Sequence, residues 1–143
     1  MTLMQLRDAE ASDISFIYDS FMKSYKADGP LGKITTKRVF FQEFPQVIDR
    51  ILSTSKVQIM CLSEEPKIIV GYIIFQPQLI HYIFVKEPFR RNGIAKTLKS
   101  HALGLNDSFT YTHITHHVKK LLTKYPDALF NPFKLYQKGE ING

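Results

Sequence analysis

The chain has 143 residues, 44% of them apolar and 22% charged, which suits one domain (1–143) with its own core and excludes a disordered or low-complexity chain. A formal charge of +6 favours an acidic partner: nucleic acid, an anionic cofactor or an acidic protein surface. A single cysteine, Cys61, excludes a disulfide within the chain and a four-cysteine zinc site, and its place in VQIMCL predicts a core residue.

The opening stretch, MTLMQLRDAEASD, has no basic segment followed by a long apolar one, so no signal peptide is expected. No apolar run reaches a membrane span, so a cytoplasmic protein without membrane association is expected. Residues 3–7 (LMQLR) read as a short strand. Ser12 or Asp13 then caps a helix whose apolar face is Ile14, Ile17, Phe21 and Tyr25. KADGPLGK reads as a flexible loop. A second helix follows Thr35 or Thr36, striped by Val39, Phe40, Phe44, Val47, Ile48, Ile51 and Leu52, with Pro45 expected to kink or split it.

The pattern then changes to strands at 57–62, 67–76 and 79–85, joined by SEEPK and PQ; short polar connections predict antiparallel pairing. A helix at 95–105, a strand at 109–114, a helix at 116–125 and a short strand at 130–136 complete the order β-α-α-β-β-β-α-β-α-(β). This is a mixed α/β (α+β) domain with a central, mostly antiparallel sheet flanked by helices.

Between the third of those strands and the next helix lies VKEPFRRNGIAKTL. A helix start presents main-chain N–H groups without intrahelical partners, and the helix dipole adds positive potential there. Gly93 lets the backbone approach an anion, Ala95 keeps the first turn small, and Arg90 and Arg91 supply forked donors. The combination predicts a phosphate or diphosphate site. The glycine spacing of dinucleotide sites and the P-loop pattern are both absent from the sequence.

RRNGIA resembles the acyl-CoA-binding signature of the GCN5-related N-acetyltransferases, Arg/Gln-x-x-Gly-x-Gly/Ala, with Arg90, Gly93 and Ala95 on its defined positions. Val85, Pro88 and Phe89 match the run into the motif, and LRDAEASDISFIYDSF resembles the family's first strand and helix. The resemblance implies that acetyl-CoA or another acyl-CoA is the cosubstrate. Its diphosphate is expected beside Arg90, on the amides of about Arg91, Asn92, Gly93, Ile94, Ala95 and Lys96. The pantetheine arm is expected along the strand ending at Val85, with the acyl carbonyl at a main-chain N–H near Phe84, where an amine attacks it.

The same resemblance bears on further residues. His81, nine positions before Arg90, stands where some members carry a glutamate base; strict alternation puts it on one face with Ile83 and Val85. Tyr136 is the candidate acid for the departing thiolate, with Tyr125 the other choice, and Asn131 is a candidate pantetheine contact. His113 is expected to line the cleft where acceptor and acyl group meet, while His116 and His117 are expected to face solvent. No metal is expected, despite the three histidines of YTHITHH.

The acceptor is an amine on a small molecule, a protein or a nucleic acid, and a homodimer is among the assemblies left open. Two other functions compete. One is a nucleic-acid-binding or nucleic-acid-modifying protein, with Arg90, Arg91, Lys119, Lys120 and Lys124 on phosphates. The other is a non-catalytic acyl-CoA-binding domain.

Overall fold

The computed structural model describes residues 3–136. Among these residues six strands form one sheet in chain order: β1 (Met4–Asp8), β2 (Lys56–Leu62), β3 (Ile69–Gln76), β4 (Leu79–Val85), β5 (Thr110–Tyr111) and β6 (Leu129–Phe130). The first four pair antiparallel, and β5 and β6 add on in parallel. Among the described residues the α-helices are α1 (Ile14–Asp28), α2 (Pro30–Ile34), α3 (Lys37–Thr54), α4 (Ile94–Leu103) and α5 (His116–Leu122). Among the described residues no helix is long and apolar enough to cross a membrane.

The continuous apolar runs of β3 and β4 follow from burial on both faces. Tyr72, Ile74, Tyr82 and Phe84 meet Ile17, Phe21, Phe44 and Ile48 of α1 and α3. Val70, Ile73, Ile80, Ile83 and Val85 meet Ile94, Leu98, Val118 and Leu122 of α4 and α5. Cys61 is fully buried on the α1 side. Phe21 stacks on Tyr82, with ring centroids 3.8 Å apart and planes within 3°.

Three expectations change. KADGPLGK is not an open loop: α2 forms there, with Pro30 in its first turn and the Lys26 ammonium on the Gly32 carbonyl at 2.8 Å. Gly32 is the point of contact between helices; a Cβ there would lie 2.1 Å from the Tyr25 carbonyl oxygen. Second, α3 runs unbroken through Pro45, whose missing N–H frees the carbonyl of Phe41, a residue on the exposed side. Third, the expected strands at 109–114 and 130–136 shrink to two residues each, and Pro132–Tyr136 coils as a 3-10 turn.

The strands also carry a correction to strict alternation. In β4 the pairing steps from Phe75↔Ile80 to Ile74↔Tyr82, leaving His81 as the extra residue of a bulge. Ile80 and Ile83 therefore share the α4 side, and His81 does not share a face with Ile83 and Val85.

At the other end of the core, the Arg7 guanidinium makes a forked pair with Asp13, at 2.7 and 2.9 Å, and the same carboxylate accepts from the Glu10 amide at 2.7 Å. These bonds hold the Asp13 carboxyl below its ordinary range. They fix the entry into α1 against β1. Asp13→Ala is expected to cost about 2–3 kcal/mol, because it strips a largely buried guanidinium of its charged partner. Urea unfolding measures it; an unchanged midpoint would mean that the pair contributes nothing.

Candidate functional site

The sheet opens between β4 and β5. Their ladder exists only at its beginning, where the amides of Thr110 and Thr112 donate to the carbonyls of Gln78 and Ile80 at 2.9 and 3.0 Å. Beyond Ile80 the two strands part. The bulge decides which edge of β4 faces the opening. The Lys86 amide donates to Val70 of β3 at 2.8 Å, so alternation turns Tyr82 and Phe84 toward β3 as well. The main-chain groups of Ile83 and Val85 are left on the opening. The N–H expected near Phe84 thus belongs to a neighbour of Phe84, whose own amide is used by the sheet. The Val85 carbonyl accepts from Arg90 Nε at 2.8 Å, which folds the arginine back along the mouth of the opening.

The turn into α4 is built for close approach. Arg91 has φ +68° and Gly93, the N-cap, has φ +76° and ψ +11°. No side chain caps this helix start. A Cβ placed on Gly93 would find nothing within 4 Å, so the space above it is open. Asn92 turns its amide to the Phe89 carbonyl at 3.2 Å and is part of the loop's own structure.

Facing this turn is α5. Between them runs a groove of about 260 Å³ lined by Val85, Arg90, Gly93, Ala95, Lys96, His117, Lys120 and Lys124, among others. It continues into a wider, more polar cavity of about 940 Å³ bordered by Glu87, Arg90, Arg91, His116, His117, Lys119 and Lys120. Seven of the residues on the two walls are arginine, lysine or the exposed His116, against one carboxylate, Glu87. Such a channel attracts an elongated anion. Arg90, Arg91, Gly93, Ile94, Ala95 and Lys96, singled out in the sequence, all line it. Lys119 and Lys120 join them from α5, and Lys124 from the turn after it, carried there by the fold rather than by chain proximity.

The expected catalytic residues lie elsewhere. His81 is 1% exposed and its two ring nitrogens meet Thr112 Oγ1 at 2.9 Å and Gln76 Nε2 at 3.3 Å. His113, expected on the cleft wall, is packed among Phe21, Tyr25 and Phe44 and meets the same Thr112 hydroxyl at 2.9 Å. The Thr112 oxygen therefore joins His81 of β4 to His113, which lies just past the end of β5. Burial pushes His81 down to about 4; burial, with His81 nearby, pushes His113 down to about 3. Both are neutral internal hydrogen-bonding groups, and neither lines the groove.

Asn131 follows β6, on the far side of β5 from the opening, and its carboxamide oxygen accepts from the Phe133 amide at 3.0 Å. That bond starts the 3-10 turn that Tyr136 ends; the Tyr136 side chain lies outside the described residues. Tyr125 packs edge-on to Phe109, with the Lys99 ammonium 4.3 Å from its centroid, in the α4–α5 core. The three histidines of YTHITHH diverge: His113 inward, His116 outward, His117 onto the groove. Among the described residues no three His, Cys, Asp or Glu side chains form a set that could hold a metal ion.

Sequence reading missed what His117 does. It was expected in solvent, yet it is half-buried. Burial and the adjacent Arg90 charge push its imidazole down to about 4.

No protein-family model matches the sequence, and no curated protein matches it. Solved structures do match. The solution structure of apo-form YjaB from Escherichia coli superposes with a TM-score of 0.61 at 14% identity, over 87% of this chain and 80% of that one. A possible acetyltransferase from Clostridium difficile 630 gives 0.51 at 17% identity, over 98% and 84%. The GCN5-related glucosamine N-acetyltransferase region of a fungal multi-domain GH3 beta-N-acetylglucosaminidase gives 0.52 at 15%, over 71% of this chain and 12% of that protein. Likeness at these identities speaks for architecture: the chain has the fold of the GCN5-related N-acetyltransferases.

Proposed function

We propose that the protein is an acyl-CoA-dependent N-acyltransferase, with acetyl-CoA as the donor and an amine as the acceptor. The observation that carries this reading is the groove between the start of α4 and α5: an uncapped helix start with open space above Gly93, walled by cations and continuous with the parted edge of β4. The diphosphate would lie on the amides after Arg91. The pantetheine arm would run along Val85 and Ile83, whose main-chain groups have no neighbouring strand to bond. An N–H there would donate to the thioester carbonyl oxygen and polarise the carbonyl for attack by a neutral amine.

Neither His81 nor His113 supports a base role, since each is enclosed and bonded internally. Proton removal from the amine is left to water or to the acceptor side. The wider cavity beside Lys119 and Lys120 favours an acceptor, or a carrier of it, with negative charge.

Calorimetry with acetyl-CoA, free CoA and a duplex oligonucleotide tests the reading. Micromolar binding of both coenzyme forms, followed by turnover with an amine panel, is expected. Salt-sensitive oligonucleotide binding without coenzyme binding would replace the proposal with a nucleic-acid-binding function. Coenzyme binding without turnover on any amine would leave a ligand-binding domain.

A further inference from the structure

The groove wall that α5 supplies is a short helix, and its start is capped from far away in the chain. Thr115, the residue before it, is extended, with φ −113° and ψ +165°, and its side chain makes no bond to the helix-start amides. The carboxylate that does the capping belongs to Asp28, the last residue of α1. Asp28 Oδ2 accepts from the His116 amide at 2.6 Å, across 88 positions of sequence. A negative charge on an otherwise unpaired helix-start N–H suits both the hydrogen bond and the helix dipole.

This bond joins the two faces of the sheet. On one face α1 packs beside α3, and on the other α5 packs with α4 through Val118 and Leu122. The strand that leads into α5 pairs with β4 over two residues only, so the sheet itself ties α5 loosely to the rest of the fold. Charge makes a further tie useful. Lys119, Lys120 and Lys124 share the groove and cavity with Arg90, Arg91 and Lys96, and like charges on two walls repel when no anion lies between them. The Asp28 bond fixes one end of α5 against that repulsion. The other partner of Asp28 is the exposed Lys33 ammonium at 3.9 Å, a surface pair of small consequence.

We propose that Asp28 is a positioning residue for the coenzyme: from α1 it fixes the first turn of α5, so that Lys119 and Lys120 stand in place beside the α4 turn before the ligand arrives. This rests on the coenzyme reading of the groove. A wall set in advance spares the ligand the cost of ordering it. Linkage gives the proposal a second side. Whatever factor of affinity is lost when the Asp28–His116 bond is broken, bound coenzyme must protect that bond by the same factor.

The test uses the full chain and CoA, by calorimetry. Asp28→Ala should weaken CoA by about tenfold, the scale of a hydrogen bond to a charged group, and Asp28→Asn, which keeps an oxygen for the His116 amide, should stay within about threefold of the wild type. Asp13→Ala is the control for general loosening, since it removes a buried carboxylate at the opposite end of α1. Its CoA affinity should match the wild type. In the wild type, saturating CoA should slow hydrogen exchange at the His116 amide by about tenfold, which reads the coupling even where a variant folds poorly. Unchanged CoA affinity in Asp28→Ala, an equal loss in Asp13→Ala, or His116 exchange that bound CoA leaves unaltered would each overturn this inference and leave the coenzyme reading standing. Failure of the wild type to bind CoA would sink both.

Discussion

Gly93→Trp abolishes coenzyme binding: affinity for CoA falls by more than about a hundredfold, the equivalent of losing two charge-assisted hydrogen bonds. The reason is local. Gly93 has φ +76° and nothing within 4 Å of where a Cβ would be, so an indole there fills the space that the diphosphate would occupy. A side chain at that φ also strains the turn, at about 1–3 kcal/mol. Gly93→Ala separates the two effects, because it shares the strain and fills far less space. Binding should fall modestly in the alanine variant and vanish in the tryptophan variant, by calorimetry, with similar urea midpoints for both. Equal CoA affinity in wild type and Gly93→Trp would show that the ligand does not lie on this turn.

The second large effect is loss of stability in mild acid. His81 and His113 are neutral in the fold, with protonation depressed to about 4 and about 3, whereas an unfolded histidine titrates near 6.5. Below that value the unfolded chain binds protons that the folded chain refuses, so stability falls as pH drops from about 6.5 toward 4. Each group contributes a slope of up to about 1.4 kcal/mol per pH unit. Above pH 7 neither contributes any pH dependence. Asp13, held low by Arg7, acts in a separate window: its stabilisation is present above the ordinary carboxylate range and is lost at still lower pH. Urea midpoints at pH 7, 6 and 5 should therefore decline steadily. The double variant His81→Gln, His113→Phe should show a shallower decline, even if less stable at pH 7. A wild-type stability that is flat between pH 7 and 5 would mean that the histidines take up protons without disrupting Thr112 and the aromatic packing around it.

Much of this was legible from local pattern. The runs KVQIMCL and IVGYIIFQ announce buried strands because both faces of β2–β4 are covered, and the Arg-Arg-Asn-Gly turn announces a helix start because it combines positive-φ capacity with charge. Long-range geometry was not legible. His81 and His113 meet through Thr112, 31 residues from His81, so a histidine that looks reactive in sequence is a satisfied internal group in space. Likewise α2 exists because Gly32 packs on Tyr25 and Lys26, a contact between segments that local propensity does not encode. His117 looked like a solvated helix-start residue because the sequence does not show that α5 and the α4 turn form two walls of one channel.

The extra residue at His81 has a consequence for how β4 tolerates changes in length. Removing that one position would restore an even ladder and rotate everything after it by half a period. Tyr82 would be wrenched from Ser24, the aliphatic and aromatic layers would trade places, and the carbonyl that now receives Arg90 would turn inward. Substitutions in this strand are thus graded injuries, whereas an indel of one is a change of blueprint.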